Sequence, residues 1–497
     1  MNMKLNDLII CLKQAKVVGG ADLDVAGIKY DSRLAGPGDL FVAIPGFKTD
    51  GAQFAAQAVG RGAAAVVLEK DVDLPGNATK VIVPNARIAL AELSSAFYGH
   101  PSRHLKMIGI TGTNGKTTTS FLIEAILRKA GFKVGVIGTV EARIDGKGIP
   151  VKLTTPESSE LQELLSRMVK EGVTHAVMEV SSHSLELYRT HGIEFDAAVY
   201  TNLTHDHLDF HGNMQNYLKA KMKLFEKLGK GRKKEVTAII NIDDPYGKKI
   251  MTFVEGNILT YGVANNANIR ASKFDISLEK MVFQLETRDE SFNISTGLIG
   301  VHNAYNIMAA LLCGKTFKLS YDDMKKAVEG VMIVPGRFER VKAGQKFPVI
   351  VDFAHSPDSL TKLLETVRPL IKGKVILVFG CPGDRDRAKR PVMGEIAVKL
   401  ADVTFISTDD PHSEPTAQIL NEIEEGVVRA GGVIGKNYFK IEDRKTAIVE
   451  AIKMAGADDA VVLAGRGHET FQDLNGVKVQ IDDREVAKEA LSRVSDK

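Results

Sequence analysis

The stretch MIGITGTNGKTTTSFLIEAIL, residues 107–127, holds the densest chemistry in the chain. A β-branched run leads into a glycine turn, then a lysine, three threonines and an amphipathic helix pattern. This context suits a phosphate grip. Backbone N–H groups of Gly112, Thr113, Asn114 and Gly115 at a helix N-terminus cradle anionic oxygens, Lys116 reaches a terminal phosphate, and Thr117 and Thr118 complete the site. A strict G-x-x-x-x-G-K-[ST] pattern needs glycine at 110, where the chain has Ile110, so Gly112 does the turning. A nucleoside triphosphate is the expected ligand, but a phosphate grip does not say how the phosphoryl group is used.

Two further segments crowd polar groups beside predicted strand ends, where doubly wound sheets place ligands. MEVSSHS carries Glu179, Ser181 and Ser182, and TNLTHDHLDFHG carries His205, Asp206, His207, Asp209 and His211. The spacing is too irregular for zinc. Mg²⁺ takes few protein ligands, mostly carboxylates, so Glu179 and one other group suffice. Fourteen residues after His207 comes Lys221, in YLKAKMKLFEKLGK. At about 100° per residue, Tyr217, Leu218, Leu224 and Phe225 share one helix side, and Lys221 falls among them while Lys219, Lys223 and Lys227 face away. Two readings stay open for that inward lysine. Its stem packs while the ammonium snorkels or pairs with a carboxylate, or the amine is modified to a carbamate that acts as one more ligand near the magnesium.

These groups need a scaffold, and the bulk sequence bounds it. At 497 residues the chain exceeds one hydrophobic core. With 65 Lys and Arg against 62 Asp and Glu, it has no global pull toward nucleic acid. No apolar run approaches a membrane span, and the N-terminus lacks a secretory core, so the expected place is the cytoplasm. Cys11, Cys313 and Cys381 are too scattered for a metal or redox motif and are expected to be reduced thiols. The run from Lys219 to Lys234, eight cations to one Glu226, reads as a solvated helix end and loop. With Phe225 as its single aromatic, it lacks the interleaved aromatics of a nucleic-acid binder.

Short β-branched runs alternate with helical patterns, so the fold class is α/β with three domains. We expect a small N-terminal α/β domain over 1–102, a central P-loop domain with a doubly wound, mostly parallel sheet over 103–334, and a C-terminal Rossmann-like domain over 335–497. Pro335 and Gly336 mark a hinge between the last two.

The motifs GTNGKTT, EVSSH, TNLTHDHLDFHG, YLKAKMKLF, GVHNAYN, VPGRFE, VDFAHSPDSL, FGCPGDRDRAKRP and AGRGHE occur in the order found in the ATP-dependent Mur ligases of peptidoglycan synthesis, and the chain resembles that family throughout. YDSRLAGPGDLFVAIPG most resembles the member that adds the third peptide residue. The resemblance implies that Gly112, Thr113, Asn114, Gly115, Lys116, Thr117 and Thr118 hold the ATP phosphates. It implies that Thr117, Glu179, His207 and a carbamylated Lys221 serve two Mg²⁺ ions, with Lys116 beside them in catalysis. Asn303 and Asn306 would face the adenine, and Arg337, Asp352 and His355 would reach the nucleotide from the C-terminal domain. Ser32 would touch the uridine diphosphate end, and Thr154, Thr155, Ser181 and Arg189 would position the muramoyl peptide, with Leu187 where related enzymes often have glutamine. The implied partners are UDP-N-acetylmuramoyl-L-alanyl-D-glutamate and a diamino acid. The implied state is a monomer.

For the amino acid, the resemblance points to Arg390, Asp409, Asp410, Pro411, His412, Gly465 and Glu469. STDDPHSE departs from the D-N-P-R of diaminopimelate-adding relatives, because His412 replaces the arginine that grips the distal carboxylate. Arg390 is expected to keep an anion grip, and Asp410 favours a basic side chain. meso-2,6-Diaminopimelate is the expected substrate, with lysine or ornithine as the alternative. Two rivals stand further off: a folylpolyglutamate synthetase, which the N-terminal domain argues against, and a catalytically silent ATP-binding protein, which the intact Lys116, Glu179, His207 and Lys221 argue against.

Overall fold

The computed structural model describes residues 2–46 and 49–495. Three sheets carry the architecture. The largest has eleven strands, and its parallel core runs Val134–Ile137, His175–Glu179, Lys106–Thr111, Ala197–Tyr200, Thr237–Asn241 and Asn257–Gly262. Its central strands are buried almost throughout, as a parallel sheet covered on both faces requires, while the flanking Asn257–Gly262 is half-buried. The core series ends at Asn257–Gly262. Beyond it the sheet continues through Ile269–Ile276 and turns antiparallel over Met281–Thr287 and Ser291–Thr296, while Ala142–Ile144 and Lys147–Ile149 add an antiparallel edge opposite.

The helix Lys116–Lys129 packs against Val301–Thr316 and Tyr321–Glu329 on one face, burying Leu122, Ile123, Ile126 and Leu127. Helices Ser158–Lys170 and Met214–Glu226 bury their apolar sides in the cluster on the opposite face, including Leu161, Leu165, Leu224 and Phe225. Residues ahead of the phosphate loop form a five-stranded sheet of Lys16–Val18, Thr79–Ile82, Ala65–Leu68, Asp39–Val42 and Gly27–Lys29. The last third forms a six-stranded sheet in which Val349–Asp352, Ala460–Ala464, Val375–Phe379, Val403–Ile406 and Tyr438–Lys440 run parallel. Its strand order reverses between Ala460–Ala464 and Val375–Phe379, which opens a crevice at their carboxyl ends.

The basic run is more than a solvated tail. Lys233 is largely buried and donates to Asp196 Oδ2 at 2.5 Å and Leu105 O at 2.6 Å, while the same Oδ2 accepts from Met107 N at 2.7 Å. These bonds anchor the start of the strand that ends in the phosphate loop. Lys223 pairs with Glu186 at 2.6 Å. The three cysteines are free. Among the described residues no helix is long and apolar enough to cross a membrane.

Candidate active site

The loop from Thr111 to Lys116 bends through positive φ at Gly112 (152°) and Gly115 (90°). A Cβ on Gly112 would lie 1.8 Å from Thr201 Oγ1, and one on Gly115 would lie 2.4 Å from Asn306 Oδ1. Glycine is required there by close packing as well as by backbone conformation. Lys116 folds back, its Nζ donating to Gly112 O and Thr113 O, both at 2.8 Å. Burial lowers its pKa, against the opposing pull of Glu179 and Asp206.

Glu179 ends its strand fully buried beside this loop and accepts from Thr117 Oγ1 at 3.0 Å, Thr139 Oγ1 at 2.9 Å and Thr139 N at 3.1 Å. Thr154 joins through Thr139 at 3.1 Å, and Thr155 Oγ1 donates to Glu179 O at 2.8 Å while accepting from Ser181 N at 3.1 Å. Arg189 lies close by, but its guanidinium is already held by Glu157 at 2.8 Å and Thr155 O at 3.1 Å. Ser32 sits apart in the N-terminal sheet region, donating to Gln57 at 2.7 Å. Tyr30 OH donates to Glu160 at 3.1 Å and ties that region to the central helix.

Lys221 is 1% exposed. Burial, with Lys116 nearby, drives its pKa well below the ordinary lysine value. Its Nζ lies 4.4 Å from the centroid of the Tyr217 ring, and among the described residues no ion pair is found for it. Such burial leaves no room for a snorkelling ammonium. Around it stand His183, His207 and His211, whose rings burial holds neutral with pKa values lowered to about 4, 3 and 4. His207 Nε2 lies 3.5 Å from Asp206 Oδ2, and His211 Nε2 contacts Ser182 Oγ at 2.9 Å.

The C-terminal third closes over the loop. Arg337 donates to Thr117 Oγ1 at 3.2 Å and rests on the Phe353 ring, burial lowering its pKa. Asp352 accepts from Phe338 N at 2.7 Å, its carboxyl pKa raised by burial, and His355 Nε2 lies 3.9 Å from Asp206. Asn114 Nδ2 donates to Asp358 Oδ2 at 2.8 Å, and His205 meets Asp386 at 3.0 Å. Between the two parts lies a cavity of about 690 Å³, lined by Thr117, Asn303, Asn306, Arg337, Asp352 and Lys362 among others. Asn303 and Asn306 also brace each other at 3.0 Å, and Asn306 accepts from Thr119 at 3.3 Å, so they stiffen the loop from behind.

At the C-terminal crevice, Asp409, Gly465 and Glu469 come together: a Cβ on Gly465 would lie 2.3 Å from Asp409 Oδ2, an oxygen left without a partner. Burial and Asp409 push the Glu469 pKa up to about 8. Asp410 accepts from Asp473 N, and His412 Nδ1 lies 3.5 Å from Asp473 Oδ2. Pro411 and His412 line a separate hollow of about 680 Å³. Arg390, the expected anion grip, is engaged within the protein. Arg390 is 0% exposed and its terminal nitrogens are bound to Glu414 at 2.8 and 2.9 Å, Glu422 at 2.7 Å and Pro382 O at 3.1 Å, so its charge is already neutralised.

Sequence reasoning did not single out Thr139, Asp358 or Tyr217 as site residues, and it placed Asp206 only within a crowd. Thr139 follows the strand Val134–Ile137 and could have been found as a polar residue at a strand end. Asp358 gave no local signal. A cation at this site suits what is present: a buried carboxylate, the Thr117 hydroxyl and a neutral imidazole are a hard, mostly oxygen donor set. Among the described residues no group of three or more His, Cys, Asp or Glu is placed to hold a metal ion, so a cation here would draw also on the Thr117 hydroxyl and on phosphate.

A phosphate loop at the carboxyl end of a parallel sheet, roofed by a second α/β unit, defines a class of nucleotide-binding protein. Comparison with known proteins narrows it. Residues 110–314 match the Mur ligase middle domain, residues 336–467 the Mur ligase glutamate ligase domain, and residues 24–98 the Mur ligase family catalytic domain. A relative from Bacillus licheniformis is 44% identical over 492 residues, covering 98% of this chain and 99% of its own length. Another from Caldanaerobacter subterraneus is 42% identical over 490 residues, covering 99% of each. Both are named UDP-N-acetylmuramoyl-L-alanyl-D-glutamate--2,6-diaminopimelate ligase. A solved structure with that name superposes with a TM-score of 0.69 at 30% identity over the whole of both chains. The MurF ligase of Thermotoga maritima in complex with ADP shares the fold, with a TM-score of 0.63 at 19% identity, covering 94% of this chain and 96% of that one. The chain belongs to the Mur ligase family.

Proposed function

We propose that this protein joins 2,6-diaminopimelate to UDP-N-acetylmuramoyl-L-alanyl-D-glutamate at the expense of ATP, as a peptide-forming ligase of peptidoglycan synthesis acting as a monomer in the cytoplasm. The observation that carries the reading is the meeting of Asn114, Gly115 and Thr117 of the phosphate loop with Arg337 on one cavity between the central and C-terminal sheets, with Glu179 bonded to Thr117. Relatives of that name, matching along their full length, support it.

In the reaction the γ-phosphoryl group passes to the side-chain carboxylate of D-glutamate. The amine of the incoming amino acid then displaces phosphate from the acyl phosphate to form the amide. Such transfer depends on positioning and charge neutralisation, and this site supplies both. The loop N–H groups and Lys116 hold phosphate oxygens, and Arg337 adds positive charge from the roof. Thr155, Ser181 and Arg189 lie next to Glu179, where the peptide carboxylate must be aligned. Mg²⁺, when bound, would be held by Thr117, Glu179, His207 and a carbamylated Lys221, and would offset the charge on the phosphates. Closure of the C-terminal unit, with Pro335–Gly336 as the hinge, keeps water from the acyl phosphate. Lys221, its pKa driven down by burial and with no ion pair among the described residues, is suited to carbamate formation, because a neutral amine is what reacts with CO₂.

Phosphate release with ATP, Mg²⁺, the muramoyl dipeptide and each of diaminopimelate, lysine and ornithine tests the proposal. We expect release with diaminopimelate; release with none of the three overturns the ligase reading, and release with lysine alone overturns the amino-acid assignment. Lys221→Ala is expected to lose turnover while still binding ATP, with rescue by short carboxylates. Unimpaired turnover would remove the carbamate from the reading.

A further inference from the structure

We propose that Tyr217 is a positioning residue that fixes the conformation of the phosphate loop through its hydroxyl, tying that loop to the helix that carries Lys221. The inference rests on the nucleotide reading of the loop given above.

Tyr217 is buried, on the second turn of Met214–Glu226. Its hydroxyl lies 3.1 Å from Thr113 Oγ1, inside the phosphate loop. Thr113 Oγ1 also accepts from Thr204 N at 3.0 Å and donates to Thr204 O at 3.3 Å. A hydroxyl has one hydrogen to give. With that hydrogen on Thr204 O, the phenol is the donor to Thr113 Oγ1.

The ring is fixed independently of the hydroxyl. It stacks on His211 at 4.9 Å and an interplanar angle of 28°, while Lys221, one helical turn on, places its Nζ 4.4 Å from the ring centroid. Tyr217 therefore touches the phosphate loop at its edge and the buried amine at its face. A residue serving only to fill the core would need the ring alone, and phenylalanine would do.

The test compares Tyr217→Phe, Thr113→Val and the double variant, in the full-length protein, by titration with a fluorescent ADP analogue. Tyr217→Phe keeps the ring, the His211 stack and the contact with Lys221. The loss of one buried hydrogen bond is expected to weaken nucleotide binding about five- to tenfold. In the Thr113→Val background the same change is expected to have no further effect, because the partner is gone. The KM for nucleotide is expected to rise while the KM for the incoming amino acid, bound at the far crevice, stays put. Nucleotide binding by Tyr217→Phe within about twofold of the parent overturns the proposal, as do additive effects of the two single changes. If the parent protein binds no nucleotide, the functional reading itself fails, which is a distinct outcome.

Discussion

Replacing Gly336 by alanine isolates what the junction does for the site. Gly336 has φ 66°, and an added Cβ would lie 2.2 Å from His468 N, 2.6 Å from Gly467 C and 2.9 Å from Gly467 Cα. All three are backbone atoms, which yield only by moving the loop after Ala460–Ala464. Gly344, in the same C-terminal part, has φ 82° with nothing within 4 Å of such a Cβ. Gly344→Ala therefore pays only the left-handed backbone term, about 1–2 kcal/mol. Gly336→Ala adds overpacking, about 1–3 kcal/mol more. The shift displaces the adjacent Arg337 from Thr117 and from the cavity it lines, so the nucleotide is expected to lose one charge-assisted bond and its KM to rise about tenfold. Urea unfolding and phosphate release at varied ATP, measured on both variants, check this. Equal destabilisation by the two changes, or an unmoved nucleotide KM in Gly336→Ala, refutes the argument.

Other outcomes follow from the charged groups. Glu469 keeps a proton in the folded chain that the unfolded chain gives up near its ordinary value of 4.5, so the stability this contributes is present at low pH and is lost as pH rises toward about 8; Glu469→Gln is expected to flatten that decline in denaturation measured at stepped pH. Arg444 and Asp483 form a pair with both side chains 0% exposed at 2.6 Å, so Asp483→Asn is expected to cost about 3–5 kcal/mol by urea unfolding. Because Arg390 is already paired, Glu414→Gln is expected to alter the KM for the amino acid more than that for ATP, read by phosphate release.

Local signals made much of this site legible. The order β-run, glycine turn, lysine, helix located the phosphate loop because each of its parts is set by neighbours in sequence. Helical periodicity likewise put Lys221 inside, since its burial follows from the residues three and four positions away. Arg390 shows where such reading ends. Whether its guanidinium is free depends on Glu414 and Glu422, brought to it by packing of Lys389–Leu400 against Thr416–Arg429. Lys233 was read as solvated for the same reason, because its partner Asp196 lies 37 residues earlier. The antiparallel extension from Ile269 was missed because those strands, half exposed, alternate in burial and lack the continuous apolar runs of the parallel core.

The cavity proposed for the nucleotide takes its floor from one sheet and its roof from another, held together by contacts such as Asn114 with Asp358 and His205 with Asp386. Warming that loosens the roof first is expected to silence the enzyme before the central sheet melts. Inactivation and loss of secondary structure then trace two separate curves, and saturating nucleotide, by gripping both walls, draws the first curve up toward the second.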